Sequence, residues 1–178
     1  MMFKTHVVAG ALTGLALYSA LPDAANVADD MVMAGMTIGG AMFGSMFPDI
    51  DKPSSKLGRK VKPISYVINF LFGHRGFTHS LPFLVLFTAV AWFYLSKNVD
   101  ADLFFYLKYA IVGFDIGFIS HLILDIMTKE KIPLFYPFQS KKHGFALHLM
   151  KTDGTGEVIF RWAMILGSAF FLFKDFLL

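Results

Sequence analysis

Long apolar runs alternate with short polar segments along most of the chain. Five runs approach the length of a membrane-spanning helix: 5–21, 31–47, 79–96, 103–127 and 157–177. A helix needs about 20 mostly apolar residues to cross a hydrocarbon core of about 30 Å. We therefore predict five transmembrane helices whose ends lie in the interface. A sixth run, 64–73, is too short to span and is predicted to lie flat or to enter the membrane partway.

The composition agrees with a membrane protein. Hydrophobic residues make up 56% of the chain and charged residues 16%, whereas soluble domains carry about 25% charged residues. The absence of cysteine excludes disulfides and thiolate metal ligands. No low-complexity segment or long repeat divides the sequence. The whole chain, 1–178, is therefore predicted to be one all-α, polytopic integral-membrane helical bundle.

The first apolar run has an alternative interpretation as a secretory signal peptide, with Lys4 as its basic start. Tyr18 does not suit the small-residue position before a cleavage site. The first two runs also contain glycines four residues apart, and small residues at this spacing let helix backbones approach closely. These pairs are Gly10/Gly14, Gly35/Gly39 and Gly40/Gly44. The glycines favour a helix that is retained in the bundle.

Basic residues lie on alternate loops. The loops at 48–63 and 128–156 contain ten Lys or Arg residues, whereas those at 22–30 and 97–102 contain only Lys97. The positive-inside rule predicts that the N-terminus and the basic loops are cytoplasmic. Orientation and contact with anionic lipid explain most of these lysines. Nucleic acid is therefore not expected as a partner.

Ionisable side chains collect at this same predicted membrane face. Each lies at the cytoplasmic end of an apolar run or in an adjoining loop, and the group includes all six histidines of the chain. The members are His6, Asp49, Asp51, His74, Arg75, His79, His121, Asp125, His143, His148 and Glu157. Ionisable groups in membrane segments are rare and usually functional. We therefore predict a single metal site built from several helix ends.

The two clearest pairs of ligand candidates have structural alternatives. His121 and Asp125 are four residues apart, so they share a helix face and can bind one ion together. Their alternative role is a His–carboxylate hydrogen bond that joins helices. Asp49 and Asp51, in FPDIDKP, can equally form a turn that ends a helix. Their proximity to other candidate ligands favours the metal site.

His74 and His79 lie in the segment HRGFTHS. Five residues place two side chains about 140° apart on a continuous helix, so both can face one ion only if a turn intervenes. Gly76 is predicted to supply that turn, and Thr78 is predicted to cap the following helix as well as to be an additional site candidate. Arg75 either anchors the interface or pairs with an anionic group.

The remaining candidates have weaker signals. His6 is expected to be a ligand or the neighbour of one. His143 and His148 lie in a loop rich in lysine and aromatic residues, and they are additional candidates together with Glu157. Asp115 lies nearer the middle of its helix and is expected to form a hydrogen bond between helices.

Histidine and carboxylate ligands without sulfur indicate zinc first, with manganese or iron as alternatives. The candidates exceed what one zinc ion needs, so one or two ions are expected. Two ions suit phosphoester cleavage, because they stabilise both the attacking and the leaving oxygen. In this hypothesis Asp49 or Asp51 orients or deprotonates water, and Arg75 neutralises the phosphate.

Several blocks of sequence resemble the YdjM-type family of bacterial inner-membrane proteins, described as LexA-regulated metal-dependent hydrolases. The blocks are KTHVVAGALTG, FPDIDKPSSKLGR, HRGFTHS, GFISHLILDIMTKEKIPLFYPF and GTGE, and together they extend over nearly the whole chain. The resemblance implies an inner-membrane hydrolase whose metal site is formed by His6, Asp49, Asp51, His74, His79, His121 and Asp125. The segment FQSKKHGFALHLMKTDG does not map onto the family pattern.

The order His, Asp, His, His-x3-Asp is also similar to zinc-dependent phospholipase C and its related single-strand nucleases, which are helical phosphodiesterases. With the interfacial location, it predicts a phospholipid or lipid-linked phosphate as substrate. The alternatives are a non-catalytic metal-binding scaffold, a transporter, or an amide or peptide hydrolase. Transport is disfavoured because the polar groups do not continue through the bilayer. The absence of HExxH excludes only the commonest zinc-peptidase pattern.

Overall fold

A computed structural model describes residues 1–21 and 26–177, which form seven α-helices. They are α1 (Phe3–Tyr18), α2 (Val27–Gly44), α3 (Lys56–Lys60), α4 (Lys62–Phe72), α5 (Leu81–Asn98), α6 (Ala101–Ile126) and α7 (Thr155–Leu177). Short 3-10 turns lie at Phe47–Asp51, Phe77–His79 and Lys141–His143. No β-strand occurs among these described residues. The predicted all-helical class is therefore confirmed.

Four described segments are long and apolar enough to span a membrane: Val27–Asp51, Leu81–Asn98, Ala101–Ile126 and Thr155–Phe173. The first predicted span differs, because α1 has 16 residues and a length of about 24 Å at 1.5 Å per residue. It nevertheless packs against α2, α6 and α7 and so belongs to the bundle. The predicted acidic loop at 22–30 includes residues 22–25, which lie outside the described residues.

The outer helices expose apolar side chains that suit contact with lipid. Val85 and Phe93 on α5, and Leu166 and Phe170 on α7, are all more than half exposed. The predicted short helix at 64–73 is present as α4, which has 11 residues. It also has an exposed apolar face, on which Phe70 is 88% exposed. This face fits the predicted position of α4 in the membrane interface.

Glycines bring α2 and α6 into backbone contact. A Cβ atom added to Gly40 or Gly44 would overlap the backbone of α6, and one added to Gly113 or Gly117 would overlap the backbone of α2. The prediction of close approach is confirmed for Gly40 and Gly44, since only a residue without a side chain fits there. The contact fixes α6, whose last turns contain two candidate ligands, against the end of α2.

The other two predicted glycine pairs have different outcomes. Gly10 and Gly14 on α1 face α2 at distances that leave no room for a Cβ atom, so this prediction is also confirmed. The prediction is wrong for Gly35 and Gly39, because no atom lies within 4 Å of a Cβ built at either position. Within the described part of the chain, these two glycines therefore lie on a side of α2 that no other helix approaches closely.

A hydrogen bond joins α5 to α6 within the apolar region. The Thr88 hydroxyl donates to the Asp115 carboxylate over 2.5 Å, which confirms the expected role of Asp115 between helices. Nearer the end of α6, Phe118 and Leu122 form a buried cluster with Leu84 of α5. This packing holds the start of α5 beside the end of α6.

Candidate metal centre

Several helix ends place their ionisable side chains at one end of the bundle. The first turns of α1 contribute His6, and the 3-10 turn after α2 contributes Asp49 and Asp51. The segment before α5 contributes His74, Arg75 and His79, and the last turns of α6 contribute His121 and Asp125. The seven side chains that the family resemblance implies as ligands therefore lie close together, whereas the additional candidates are considered below.

Two groups of three side chains have the spacing needed to hold an ion. One is His6, His121 and Asp125; the other is Asp49, His79 and His121. In each group one ligand atom per residue lies within 4.8 Å of the others. All these side chains are buried except Asp49, which is half-buried. His121 is common to both groups and is therefore the centre of the cluster.

Hydrogen bonds set the orientation of the two central histidine rings. His121 Nδ1 lies 2.7 Å from the Ser45 carbonyl oxygen, and a carbonyl only accepts, so Nδ1 carries the proton. His79 Nδ1 lies 2.9 Å from the Asp51 carboxylate, which likewise accepts from a protonated nitrogen. In the neutral rings, Nε2 of each histidine then has a free lone pair. A hydrogen bond from Nδ1 to an oxygen acceptor is typical of histidines that bind a metal through Nε2.

The two Nε2 atoms of His79 and His121 are 3.3 Å apart. Two lone pairs at this distance repel each other unless a proton or a cation lies between them. Nitrogen atoms bound to one tetrahedral zinc at about 2.0–2.1 Å are separated by about 3.3–3.4 Å. The donor set and its spacing therefore fit a zinc-type ion.

Asp51 accepts hydrogen bonds from four groups. Its Oδ1 atom lies 2.8 Å from His74 Nδ1. Its Oδ2 atom accepts from the Arg75 backbone N–H at 2.9 Å, from the Thr78 hydroxyl at 2.7 Å and from His79 Nδ1 at 2.9 Å. Both oxygens are thus occupied by protein donors. This geometry favours Asp51 as the residue that orients two histidines rather than as a ligand itself.

Asp125 is surrounded by positive and imidazole groups. Arg75 Nη2 lies 2.7 Å from its Oδ2 atom, and the Met1 amino group lies 2.8 Å from its Oδ1 atom. His6 Nε2 is 3.3 Å from the same Oδ1. Arg75 also contacts Glu130, with Nη1 3.4 Å from the carboxylate and 3.1 Å from the backbone oxygen. These contacts stabilise a buried carboxylate as an ion.

His6 stacks on His121, with ring centroids 3.9 Å apart and an interplanar angle of 17°. Its ring is 2% exposed, and Nδ1 has no hydrogen-bond partner among the described residues. Leaving a buried polar atom unpaired costs about 1–3 kcal/mol. The unpaired nitrogen therefore favours a role for the His6 ring as a metal ligand.

Asp49 differs from the other carboxylates because its side chain has no hydrogen bond or ion pair within the part of the chain that the structure describes. It also lines a cavity of about 330 Å³ that opens to the surface. A carboxylate that faces both the histidine cluster and a solvent-accessible cavity can exchange protons with water in that cavity.

Thr78 and Gly76 shape the segment between the two histidines. Thr78 donates to Asp51, and the cap of α5 is Ser80, whose side chain accepts from the Phe83 backbone N–H at 3.3 Å. The prediction that Thr78 caps this helix is therefore wrong. A Cβ atom at Gly76 would overlap the Phe72 carbonyl oxygen, so the predicted turn requires glycine there.

The structure places Glu157 outside both groups. This buried side chain accepts from the Met2 backbone N–H at 2.6 Å, from the Thr5 hydroxyl at 2.7 Å and from the Asp153 backbone N–H at 2.8 Å. It therefore joins the start of α1 to the start of α7. Its contribution to the site is to position the turn that contains His6.

The structure also places His143 and His148 apart from the cluster. Both side chains are exposed in the loop between α6 and α7. His143 Nδ1 lies 2.9 Å from the Ser140 hydroxyl oxygen. Neither histidine belongs to a group with ligand spacing. Substitutions at these two positions can therefore serve as controls for substitutions of the buried histidines.

Sequence reasoning missed three contributors to the site. The Ser45 carbonyl orients His121, the Asn69 amide donates to the Asp51 backbone oxygen at 2.8 Å, and Glu130 pairs with Arg75. A backbone carbonyl has no sequence signal. Glu130 had a weak sequence signal, as one of two acidic residues in a loop with five lysines.

We expect Asp51→Asn to weaken zinc binding by about 10- to 100-fold, the usual effect of removing a partner that orients a histidine ligand. The amide keeps the size of the side chain but cannot accept from all four donors. Competition with a zinc chelator on detergent-purified protein measures the change. Asp102→Asn, an exposed substitution in the first turn of α6, is the control. Unchanged zinc affinity in Asp51→Asn would show that Asp51 does not orient metal ligands.

Comparison with known proteins identifies the relatives of this chain. A family model described as YdjM inner membrane protein matches residues 1–175. The chain is 41% identical over 101 residues to the inner membrane protein YdjM of Escherichia coli (strain K12), a match that covers 54% of this chain and 47% of that protein. The chain thus spans about half the length of that relative.

A second relative aligns over almost its full length. YvsG of Bacillus subtilis (strain 168) is 34% identical over 176 residues, which cover 97% of this chain and 95% of YvsG. No solved structure matches the chain. The family match over nearly every residue, together with the apolar helices, establishes a membrane protein. The chain belongs to the YdjM family of inner membrane proteins.

Proposed function

We propose that this chain is a metal-dependent hydrolase that cleaves a phosphoester of a phospholipid or lipid-linked phosphate at the cytoplasmic interface. The observation that supports this most strongly is the pair of Nε2 atoms of His79 and His121, 3.3 Å apart. Asp49, whose carboxylate has no hydrogen-bond or ion-pair partner among the described residues, lies beside them and faces an open cavity. The cytoplasmic orientation follows from the basic loops next to the site.

His79 and His121 would hold one ion through their Nε2 atoms, and Asp49, His6 and Asp125 offer further oxygen and nitrogen donors around it. Zinc is the first candidate because the donors are imidazole nitrogens and carboxylate oxygens, and Mn²⁺ and Fe²⁺ accept the same atoms. When bound, such an ion makes water more acidic and stabilises negative charge on phosphate oxygens. His121 has only Nε2 free, so it can serve one ion, and a second ion would depend on the other side chains.

Asp49 is the residue best placed to accept a proton from water. Asp51 is less suited, since its oxygens are occupied by four donors. In the overall reaction the water oxygen forms a bond to phosphorus, the ester P–O bond breaks, and the leaving oxygen takes up a proton. Arg75 lines the cavity and brings positive charge to the phosphate.

A non-catalytic metal-binding scaffold is the second candidate. It is favoured by the contacts of Asp125, whose charge is already balanced by Arg75 and by the Met1 amino group. A buried network of this kind can hold helices together without chemistry. The helix-end location, with ligands from α1 and α6, suits such a role as well.

Elemental analysis of the purified protein, combined with a turnover screen on a lipid extract read by mass spectrometry, tests the proposal. We expect bound zinc and the loss of a phosphorylated lipid, with release of phosphate or a phosphorylated headgroup. Asp49→Asn should lose turnover, since the amide cannot accept the proton. Bound metal without any lipid consumed favours the scaffold, and a protein without any bound metal excludes both functions.

A further inference from the structure

A cavity of about 330 Å³ connects the candidate metal centre to the surface. Its lining includes Asp49, His74, Arg75 and Asp125, which all belong to the cluster described above. A group that binds in this cavity therefore lies directly against the candidate ligands. The remaining lining decides which group is accepted.

Three further cationic side chains line the same cavity: Lys52, Lys56 and Arg59. All three are exposed, and none takes part in an ion pair among the described residues. Arg75 is different, because its charge is shared with Asp125 and Glu130. The lining also includes the carboxylates of Asp49, Asp125 and Glu130. None of them forms an ion pair with Lys52, Lys56 or Arg59 among the described residues, so the three cations remain available to an anionic group.

The lining is polar as well as cationic. The side chains of Ser54 and Thr152 add hydroxyl groups, and Phe3 is among the few apolar members, with Lys56 Nζ 4.5 Å from its ring centroid. Such a lining suits a phosphorylated headgroup and not an acyl chain. The acyl chains have a surface nearby, since α4, with its exposed apolar face, packs against the Phe47–Asp51 turn that contains Asp49.

We propose that this cavity selects lipids whose headgroup has two or more negative charges, namely lipid phosphomonoesters and lipid diphosphates, over zwitterionic phospholipids. This inference rests on the proposed function, because it names the substrate class of the same site. One anionic oxygen is met at the metal centre and Arg75, and the further charge is met by Lys52, Lys56 and Arg59. Hydrogen bonds between charged partners are about twice as strong as neutral ones, so each additional phosphate charge favours this class.

The test compares two variants with the same loss of charge. K52Q/K56Q/R59Q removes the three cations of the cavity. K60Q/K62Q/K129Q removes three exposed cations of the same membrane face that do not line it. Phosphatidic acid, a long-chain lipid diphosphate and phosphatidylcholine are offered in mixed micelles. Native mass spectrometry reads the bound lipid on zinc-loaded and zinc-free protein, and turnover of the same lipids is measured in parallel.

We expect K52Q/K56Q/R59Q to lower the binding ratio of phosphatidic acid or lipid diphosphate to phosphatidylcholine by about tenfold or more, and the control variant to change it by less than about twofold. The charge-conserving variant K52R/K56R/R59K should keep the preference. The binding measured with phosphatidic acid and with the lipid diphosphate shows which of these two lipids is favoured.

An equal loss of preference in both glutamine variants would assign the effect to general surface charge and overturn the cavity proposal. An unchanged ratio in K52Q/K56Q/R59Q would overturn it as well. The binding ratio is read without turnover, so it judges the cavity separately from the chemistry. Zinc-loaded wild-type protein that binds these lipids but consumes none would contradict the proposed hydrolysis. The cavity proposal would then still be decided by the binding ratios of the variants.

Discussion

Replacing His121 with alanine is expected to abolish zinc binding and lipid hydrolysis together. His121 belongs to both candidate ligand groups, its ring is fully buried, and the Ser45 carbonyl fixes which nitrogen is free. Loss of a partner that only orients a ligand weakens zinc binding by up to about 100-fold, so loss of a ligand should exceed that. Elemental analysis and lipid turnover on the same preparation measure both effects.

His148→Ala is the matched control for this prediction, because His148 is exposed and lies outside both groups. It should keep the zinc content and turnover of the wild type. Elution from a size-exclusion column in detergent shows whether each variant remains folded. Full activity in folded His121→Ala protein would contradict the assignment of the metal centre.

Replacing Gly117 with leucine is expected to lower the free energy of unfolding by about 3 kcal/mol, the upper part of the usual range for overpacking. A Cβ atom at this position would overlap the backbone of Ala41, which cannot move away as the end of a side chain can. The helices α2 and α6 must therefore separate. Because His121 lies one turn further along α6, zinc binding should fall as well.

Gly39→Leu provides the control, since it makes the same substitution on α2 where no atom lies within 4 Å of a Cβ. We expect it to leave the stability unchanged or slightly raised, because leucine favours a helix by about 0.8 kcal/mol relative to glycine. Thermal unfolding in detergent, followed by circular dichroism, measures both variants. Equal stability of the two would mean that the α2–α6 contact does not depend on glycine.

The apolar runs predicted the membrane helices well because lipid imposes the length of each span. Residues 79–96 and 103–127 differ from α5 and α6 by only two residues or fewer at each end. The glycine spacing was less informative. Spacing tells which residues share a helix face, and Gly35 and Gly39 show that it does not tell whether another helix lies against that face.

The convergence of the site was predictable because helix ends at one membrane face must lie near one another. The individual roles of the residues within the site could not be predicted. Asp51 receives its donors from residues 23 to 28 positions further along the chain, so its role depends on how the segment before α5 folds back. Glu157 has the residue type of a ligand, but its neighbours are backbone N–H groups and a hydroxyl.

The distribution of ligands along the chain also orders the events of biosynthesis. His6 emerges first from the ribosome, and His121 and Asp125 follow only when the helix that contains them has been made. A chain halted after α5 therefore holds an incomplete donor set and has no His6–His121–Asp125 group with which to capture an ion. In the proposed function, an ion could therefore be held at this group only in chains whose synthesis has passed α6.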